Sequence, residues 1–241
     1  MKWLLVTGQP GCGKTTAVKE MAHELMAHGI CCSGFITEEV VGPTGSRIGF
    51  DVVTVPGDER GVLARKEGLK KSLPKVGQYT VDVPSFERLA IPTLQSSEKE
   101  VVYIIDEVGR MELHSTPFKE AIERLLATPD SVVVGALTAP IYGHRVPFCD
   151  VIAETPGVNV HKLTAKTRCA MMPILREELR GLPLCRSSTG LGKSGENDTA
   201  PLSVPLQPGK AGSHLELYFK DLANLEDLIR DTYDKLVLRP C

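Results

Sequence analysis

A short apolar run, Trp3-Leu4-Leu5-Val6, leads almost at once into Gly8-Gln9-Pro10-Gly11-Cys12-Gly13-Lys14-Thr15, a glycine followed after four residues by Gly-Lys-Thr. This arrangement leaves little freedom in what the chain can become, because each fixed position has a physical task. The glycines let the backbone turn tightly and approach a polyphosphate, and successive amide N–H groups then converge on its oxygens as an anion nest. Lys14 reaches the β- and γ-phosphates, and the Thr15 hydroxyl is placed to hold Mg²⁺. From Lys14 to His28 the residues favour a helix, with Val18, Met21, Ala22 and Leu25 at helical spacing and Gly29 as its stop. That helix adds its positive dipole end to the anion site. Strand, loop and helix are all present, as a phosphate-binding loop requires.

The alternation continues downstream. Residues around Phe35 read as a strand, Gly42-Pro43-Thr44-Gly45 as a turn, and Arg47–Val55 as a second β-rich run, together a hairpin inserted early in the fold. Residues 56–76 are polar and mixed and read as loop. Tyr79–Val83 alternates as a strand, and Pro84-Ser85 opens a helix through Phe86, Leu89, Ala90 and Leu94. Val101–Ile105 is a continuous apolar run, as expected of a central parallel strand buried on both faces. A helix is predicted over Thr116–Ala127, a buried strand over Ser131–Leu137, another over Asn159–Leu163, and a helix from there to about Arg180. Strands alternating with helices argue for an α/β fold, a mostly parallel sheet with helices on both faces.

The domain implied by this pattern spans residues 1–181. Residues 182–214 turn rich in Ser, Gly, Pro, Lys and Thr and read as a disordered linker. Residues 215–241 close the chain with an amphipathic helix, Leu217, Leu222, Leu225, Leu228, Ile229 and Tyr233 lying near helical spacing. Over 215–238 this helix is suited to pack back on the domain, to bind a protein partner or to self-associate. The 241 residues carry a net charge of −2, which gives no sign of a nucleic-acid-binding surface, and no stretch is long and apolar enough to span a membrane. Seven cysteines without a Cys-x-x-Cys pair suggest neither a disulfide framework nor a zinc site, and fit a reducing cytoplasmic compartment, the nucleus remaining open.

The second chemical motif is Asp106-Glu107, at the end of the Val101–Ile105 run. Ligands of open α/β sheets sit beyond the carboxyl ends of the strands. Asp106 there suits the Walker B role of serving Mg²⁺, and Glu107 is placed to polarise an attacking water. Read without the upstream loop, the pair is equally a solvated acidic strand end. Arg110 is the nearest cation to the γ-phosphate region, and is as readily a surface ion-pair partner. His144-Arg145, after the Ser131–Leu137 strand, lies in a loop able to close over the phosphates.

Asp106-Glu107-Val108-Gly109-Arg110-Met111-Glu112-Leu113 resembles the Asp-Glu-x-Gly-[Lys/Arg]-Met-Glu signature of the THEP-type nucleoside-triphosphatases. Gly34-Phe35-Ile36-Thr37-Glu38-Glu39-Val40, Arg47–Val53 and Val76–Tyr79 resemble further blocks of that family, and the likeness runs from about Lys2 to Glu178. The resemblance implies a RecA-like P-loop fold and slow, Mg²⁺-dependent hydrolysis of ATP, GTP, CTP and UTP to diphosphate and phosphate. The nucleotide contacts it implies are Gly8, Gln9, Pro10, Gly11, Cys12, Gly13, Lys14, Thr15, Thr16, Ile105, Asp106, Glu107, Val108, Gly109, Arg110 and Arg168. Lys14 and Glu107 are then catalytic, and Thr15 and Asp106 serve the metal. The family's Thr-x-x-Asn-Arg block reads Thr164-Ala165-Lys166-Thr167-Arg168 here, with Thr167 in place of the asparagine. Two other classes fit the same residues: a nucleotide or small-molecule kinase, and a nucleotide-dependent switch or adaptor.

Overall fold

The computed structural model of the protein describes residues 2–57, 59–96, 100–140 and 145–183. The linker and C-terminal helix expected beyond Pro183 lie outside these residues. The strands are β1 (Trp3–Gly8), β2 (Cys32–Val41), β3 (Arg47–Val55), β4 (Arg60–Arg65), β5 (Lys75–Val76), β6 (Tyr79–Val81), β7 (Val102–Val108), β8 (Val132–Thr138) and β9 (Val158–Lys162). The helices are α1 (Lys14–Ala27), α2 (Val83–Thr93), α3 (Thr116–Ala127), α4 (Pro147–Glu154) and α5 (Arg168–Arg180).

One nine-stranded sheet carries the fold, in the order β5-β6-β4-β3-β2-β7-β8-β1-β9. From β2 to β9 its strands are parallel; from β3 to β5 they are antiparallel. The mostly parallel α/β architecture therefore holds through the core, and an antiparallel extension is added at one edge. Alternation of side chains across each strand splits the apolar residues into two layers. Leu4, Val6, Val102, Ile104 and Val134 face α1 and α5, with Met21, Leu25, Leu175 and Leu179 packed on them. Trp3, Leu5, Ile105 and Val133 face the other layer, with Phe86 from α2, Phe118 and Ile122 from α3, and Ile152 from α4. Leu182 is fully buried, so the packed domain reaches one residue past the boundary expected at Gly181.

Local signals explain the starts of two helices. In α2 the Asp82 carboxylate accepts from the Ser85 N–H at 3.2 Å, so Asp82 is the cap and Val83 belongs to the helix, not to the preceding strand. Ser115 caps α3 in the same way, accepting from the Phe118 N–H at 3.1 Å. The stretch 56–76 is not all loop, since it contains β4 and β5. Only Val62, Leu63 and Ala64 in β4 are apolar, too few to reveal a period, and pairing with β3 and β6 makes the strand. The eight-residue α4 was equally hidden by its length.

Phe35, Phe86 and Phe118 form a buried edge-to-face cluster with ring centroids 5.3–5.8 Å apart, joining β2, α2 and α3. Phe86→Ala is expected to lower the unfolding free energy by about 3–5 kcal/mol, read from urea denaturation. A loss below 1 kcal/mol would mean that this cluster does not hold the layer.

Candidate functional site

The loop between β1 and α1 closes on Gly13, whose backbone is left-handed (φ 100°, ψ 22°). A side chain would strain that conformation, which glycine adopts freely. The turn brings Lys14 back over the loop. Its Nζ donates to the Gly8 carbonyl at 3.1 Å and stands 3.6 Å from Glu107 Oε2. The predicted cation and the predicted acid therefore meet at the cradle.

The path of β7 makes this meeting feasible. Its register against β8 runs Ile105↔Gly135 and then Val108↔Leu137, an extra residue on β7. Consecutive residues of a regular strand point to opposite faces, and a bulge re-aims them. Here both carboxylates address the same loop, Asp106 at Thr15 and Glu107 at Lys14.

Asp106 is completely buried. Its Oδ2 accepts from Thr15 Oγ1 at 3.1 Å, from the Thr37 N–H at 2.9 Å and from Thr37 Oγ1 at 2.5 Å. Its Oδ1 has no hydrogen-bond partner among the described residues. Burial pushes the Asp106 pKa up to about 6, the Thr37 hydrogen bonds pull it down, and the Glu107 charge raises it further. A buried carboxylate oxygen without a protein partner, beside a threonine hydroxyl, fits a hard divalent cation that keeps most of its water shell. The donor set suits Mg²⁺ on this ground.

A cavity of about 850 Å³ opens along the carboxyl ends of the strands. Pro10, Gly11, Gly13, Lys14, Thr15 and Thr16 line its cradle end, and the Arg168 side chain lies against Gly13. Glu107, Gly109 and Arg110 line its middle. The side chains of Gln9, Cys12, Ile105 and Val108 point away from this cavity, Gly8 lines a second one, and Asp106 is buried beneath the first. Ile105 and Val108 are core residues packed beneath the sheet surface. Gln9 donates to the Pro140 carbonyl at 3.0 Å, and Gln9 and Cys12 face a separate cavity of about 510 Å³ shared with Lys162–Ala165. Their neighbours in sequence touch the main cavity, but strand alternation and the loop's turn direct these side chains away from it. His144 lies outside the described residues, and Arg145 pairs with Asp150 at 3.0 Å near the start of α4.

Thr37 was missed. The signal available was its place in the Gly34–Val40 block, but a lone threonine in a strand has no recognisable chemistry until β2 is laid beside β7. Glu112 was also passed over. It is buried, and burial followed by the nearby Glu107 charge pushes its pKa up to about 8. Thr167, where an asparagine was expected, is committed locally: its hydroxyl accepts from the Thr164 N–H at 3.1 Å and lies 2.9 Å from the Thr164 hydroxyl.

With this geometry in place, residues 3–175 match the model of the NTPase family. The cancer-related nucleoside-triphosphatase homolog of Mus musculus is 39% identical over 180 residues, covering 70% of this chain and 92% of its own. The chain belongs to the THEP-type nucleoside-triphosphatase family. Two solved members share its fold. The crystal structure of THEP1 from Aquifex aeolicus superposes with a TM-score of 0.62 at 32% identity, covering 73% of this chain and 98% of that one. The solution structure of a human cancer-related nucleoside triphosphatase gives 0.63 at 36% identity, covering 75% and 98%. The resemblance in the Asp106–Leu113 block thus extends over the whole P-loop domain.

Two outcomes follow from the buried acids. Thr37→Val removes one of three donors to a buried carboxylate and is expected to cost about 1–3 kcal/mol of stability in chemical denaturation. An acid whose folded pKa stands above its unfolded value stabilises the protein while protonated, so its contribution is lost as pH rises through the folded pKa. For Glu112 that interval runs from 4.5 to about 8. Glu112→Gln mimics the protonated form, so its melting temperature should gain on wild type between pH 5 and pH 8; parallel curves would show that Glu112 does not titrate there.

Proposed function

We propose that this protein hydrolyses nucleoside 5′-triphosphates to diphosphate and phosphate, with Mg²⁺ as cofactor and little preference among bases. The observation that carries the reading is the approach of Glu107 to Lys14 at the phosphate cradle, 3.6 Å between charged atoms. The family's members are named nucleoside-triphosphatases, which supports the same reaction.

The phosphates lie across the loop from Gly8 to Thr15, held by backbone N–H groups, the α1 amino end and Lys14. On entry of the triphosphate, Lys14 exchanges its contacts with Gly8 and Glu107 for β- and γ-phosphate oxygens. Thr15 and Asp106 would hold Mg²⁺, which when bound supplies positive charge against the β- and γ-phosphate oxygens. Glu107, freed from Lys14, accepts a hydrogen bond from a water and orients it in line with the γ-phosphorus. As the new P–O bond forms, the bond from the γ-phosphorus to the β,γ-bridging oxygen breaks and diphosphate leaves with the electron pair. The water's proton passes to Glu107 or to the phosphate itself. Arg110 and Arg168 stand at the cavity wall, where positive charge opposes the charge spread over the γ-phosphoryl oxygens.

Broad base tolerance is supported by Thr167, whose short side chain is engaged with Thr164 where an amide would offer a donor and an acceptor to a base. Affinity then rests on the phosphates, which all four triphosphates share. Among the described residues no helix is long and apolar enough to cross a membrane.

Phosphate release should appear with ATP, GTP, CTP and UTP at comparable rates and should need Mg²⁺. Glu107→Gln should retain triphosphate binding while turnover falls by about 100-fold or more, the usual contribution of a positioned acid–base group. Lys14→Ala should lose tight binding altogether. Unchanged phosphate release by Glu107→Gln would refute the assignment.

A further inference from the structure

Glu112 lines the main cavity yet is buried, and the hydrolytic chemistry gives it no task. Its backbone is anchored firmly. It opens the 3-10 turn Glu112–His114 that follows β7, and its carbonyl accepts from the N–H of Ser115, the cap of α3, at 3.0 Å. The Gly109 carbonyl accepts from the Leu113 N–H at 3.0 Å and closes the turn from the β7 side. From this anchor the Glu112 side chain reaches back along the chain, where the Gly109 N–H hydrogen-bonds its carboxyl group. A buried acid needs such a partner.

Gly109 connects this acid to the one beside the cradle. Its backbone lies outside the left-handed region, so what the missing side chain provides is space. A Cβ there would stand 2.8 Å from Glu112 Oε2, and 3.2 Å and 3.4 Å from Cγ and Cδ of Glu107. Both acids therefore lie against the same bare stretch of backbone. Glu112 is 5% exposed, whereas the Glu107 side chain is 26% exposed, so a fixed acid backs a movable one. Burial raises the Glu112 pKa to about 8, so near neutral pH its carboxyl is mostly protonated and lies beside Glu107 with little like-charge repulsion.

Glu107 is ion-paired with Lys14. In the hydrolytic reading it loses this partner when the triphosphate draws Lys14 away, at the moment its own orientation begins to matter. We propose that Glu112 is a positioning residue: packed across the bare backbone of Gly109, it fills the space behind Glu107 and keeps that carboxylate aimed at the cradle after Lys14 has left. The inference rests on the reading of Lys14 and Glu107 given above. Glu112 supplies neither a proton nor a charge to the reaction. Without its side chain, Glu107 swings back into the vacated volume, and the water loses its alignment while the phosphates keep their contacts.

The test compares full-length variants in Mg²⁺-ATP turnover and in affinity for the β,γ-imido analogue of ATP. Glu112→Ala should lower kcat about 10- to 100-fold, the scale of a small misplacement at a reacting group. Its KM and the Kd of the analogue should stay within about threefold of wild type, as for an interaction that matters only in the transition state. Glu112→Gln has nearly the same shape and keeps an oxygen for the Gly109 N–H, so it should retain most of the wild-type kcat. Gly109→Ala covers the case in which Glu112→Ala fails to fold. Its Cβ forces the two acids apart, and kcat should fall with binding retained. Unchanged kcat in folded Glu112→Ala or in Gly109→Ala overturns the proposal, whatever happens to the melting temperature. Glu112→Gln falling as far as Glu112→Ala overturns it too, because the ionised acid and not its position would then be at work. Parallel loss of kcat and of analogue binding would mean a collapsed cradle, and also overturns it. In each of these outcomes, wild-type phosphate release that is lost in Glu107→Gln leaves hydrolysis standing. A wild type that releases no phosphate, or a Glu107→Gln variant that turns over at the wild-type rate, overturns the hydrolytic reading and this inference with it.

Discussion

A single buried carboxylate, Asp106, ties the working parts of this protein together. Its Oδ2 collects donors from Thr15 in the first turn of α1 and from Thr37 in β2. A carboxylate out of contact with water is costly unless hydrogen bonds offset the lost solvation. That requirement fixes three elements at once, because neither threonine can move without leaving the oxygen short of partners. The phosphate cradle, the acid-bearing strand and β2, the parallel strand that borders the antiparallel extension, are thereby held in one geometry. The other oxygen, Oδ1, is left for a group that the described residues do not supply.

Around this joint the two apolar layers act as a rigid backing. β1, β7 and β8 are buried on both faces, so their carboxyl ends are presented from an element with little freedom. Polar groups then concentrate where the sheet stops and the loops begin, as in other open α/β sheets. The β7 bulge refines the arrangement. Without the extra residue, strand alternation would turn one of Asp106 and Glu107 away from the cradle. The Glu107 charge raises the proton affinity of both Asp106 and Glu112, and the Asp106 charge adds to it at Glu112, so the site concentrates acidic groups opposite a loop that attracts anions.

The antiparallel edge extends the sheet beyond its parallel core. Its strands are laced by ion pairs, Asp51 binding both Arg60 and Arg65 and Glu38 binding both Lys19 and Arg60. The pairs between Glu38, Lys19 and Arg60 hold that carboxylate's pKa below its usual value, Lys19 contributing most. Glu38 thereby ties β2 to α1 through Lys19 and to β4 through Arg60.

Much was legible without coordinates. Gly8–Thr15 could be read as a phosphate loop because backbone chemistry leaves few alternatives, and Thr116–Ala127 as a helix because its apolar period and its serine cap agree. Short-range rules suffice for such features. β4 was not legible, since three apolar residues among charges become a strand through their partners on either side. The side chains of Gln9, Cys12, Ile105 and Val108 turn away from the main cavity, a direction that nearness to the motifs does not reveal. The sequence by itself determined the chemistry on offer: an anion cradle, a lysine, a pair of acids and the strands to carry them. Only the tertiary structure decided which groups converge, because convergence depends on a one-residue bulge, on β2 lying beside β7 so that Thr37 reaches Asp106, and on β3–β6 folding over the far side of the cavity. Those relations join residues distant along the chain, and no local pattern encodes them.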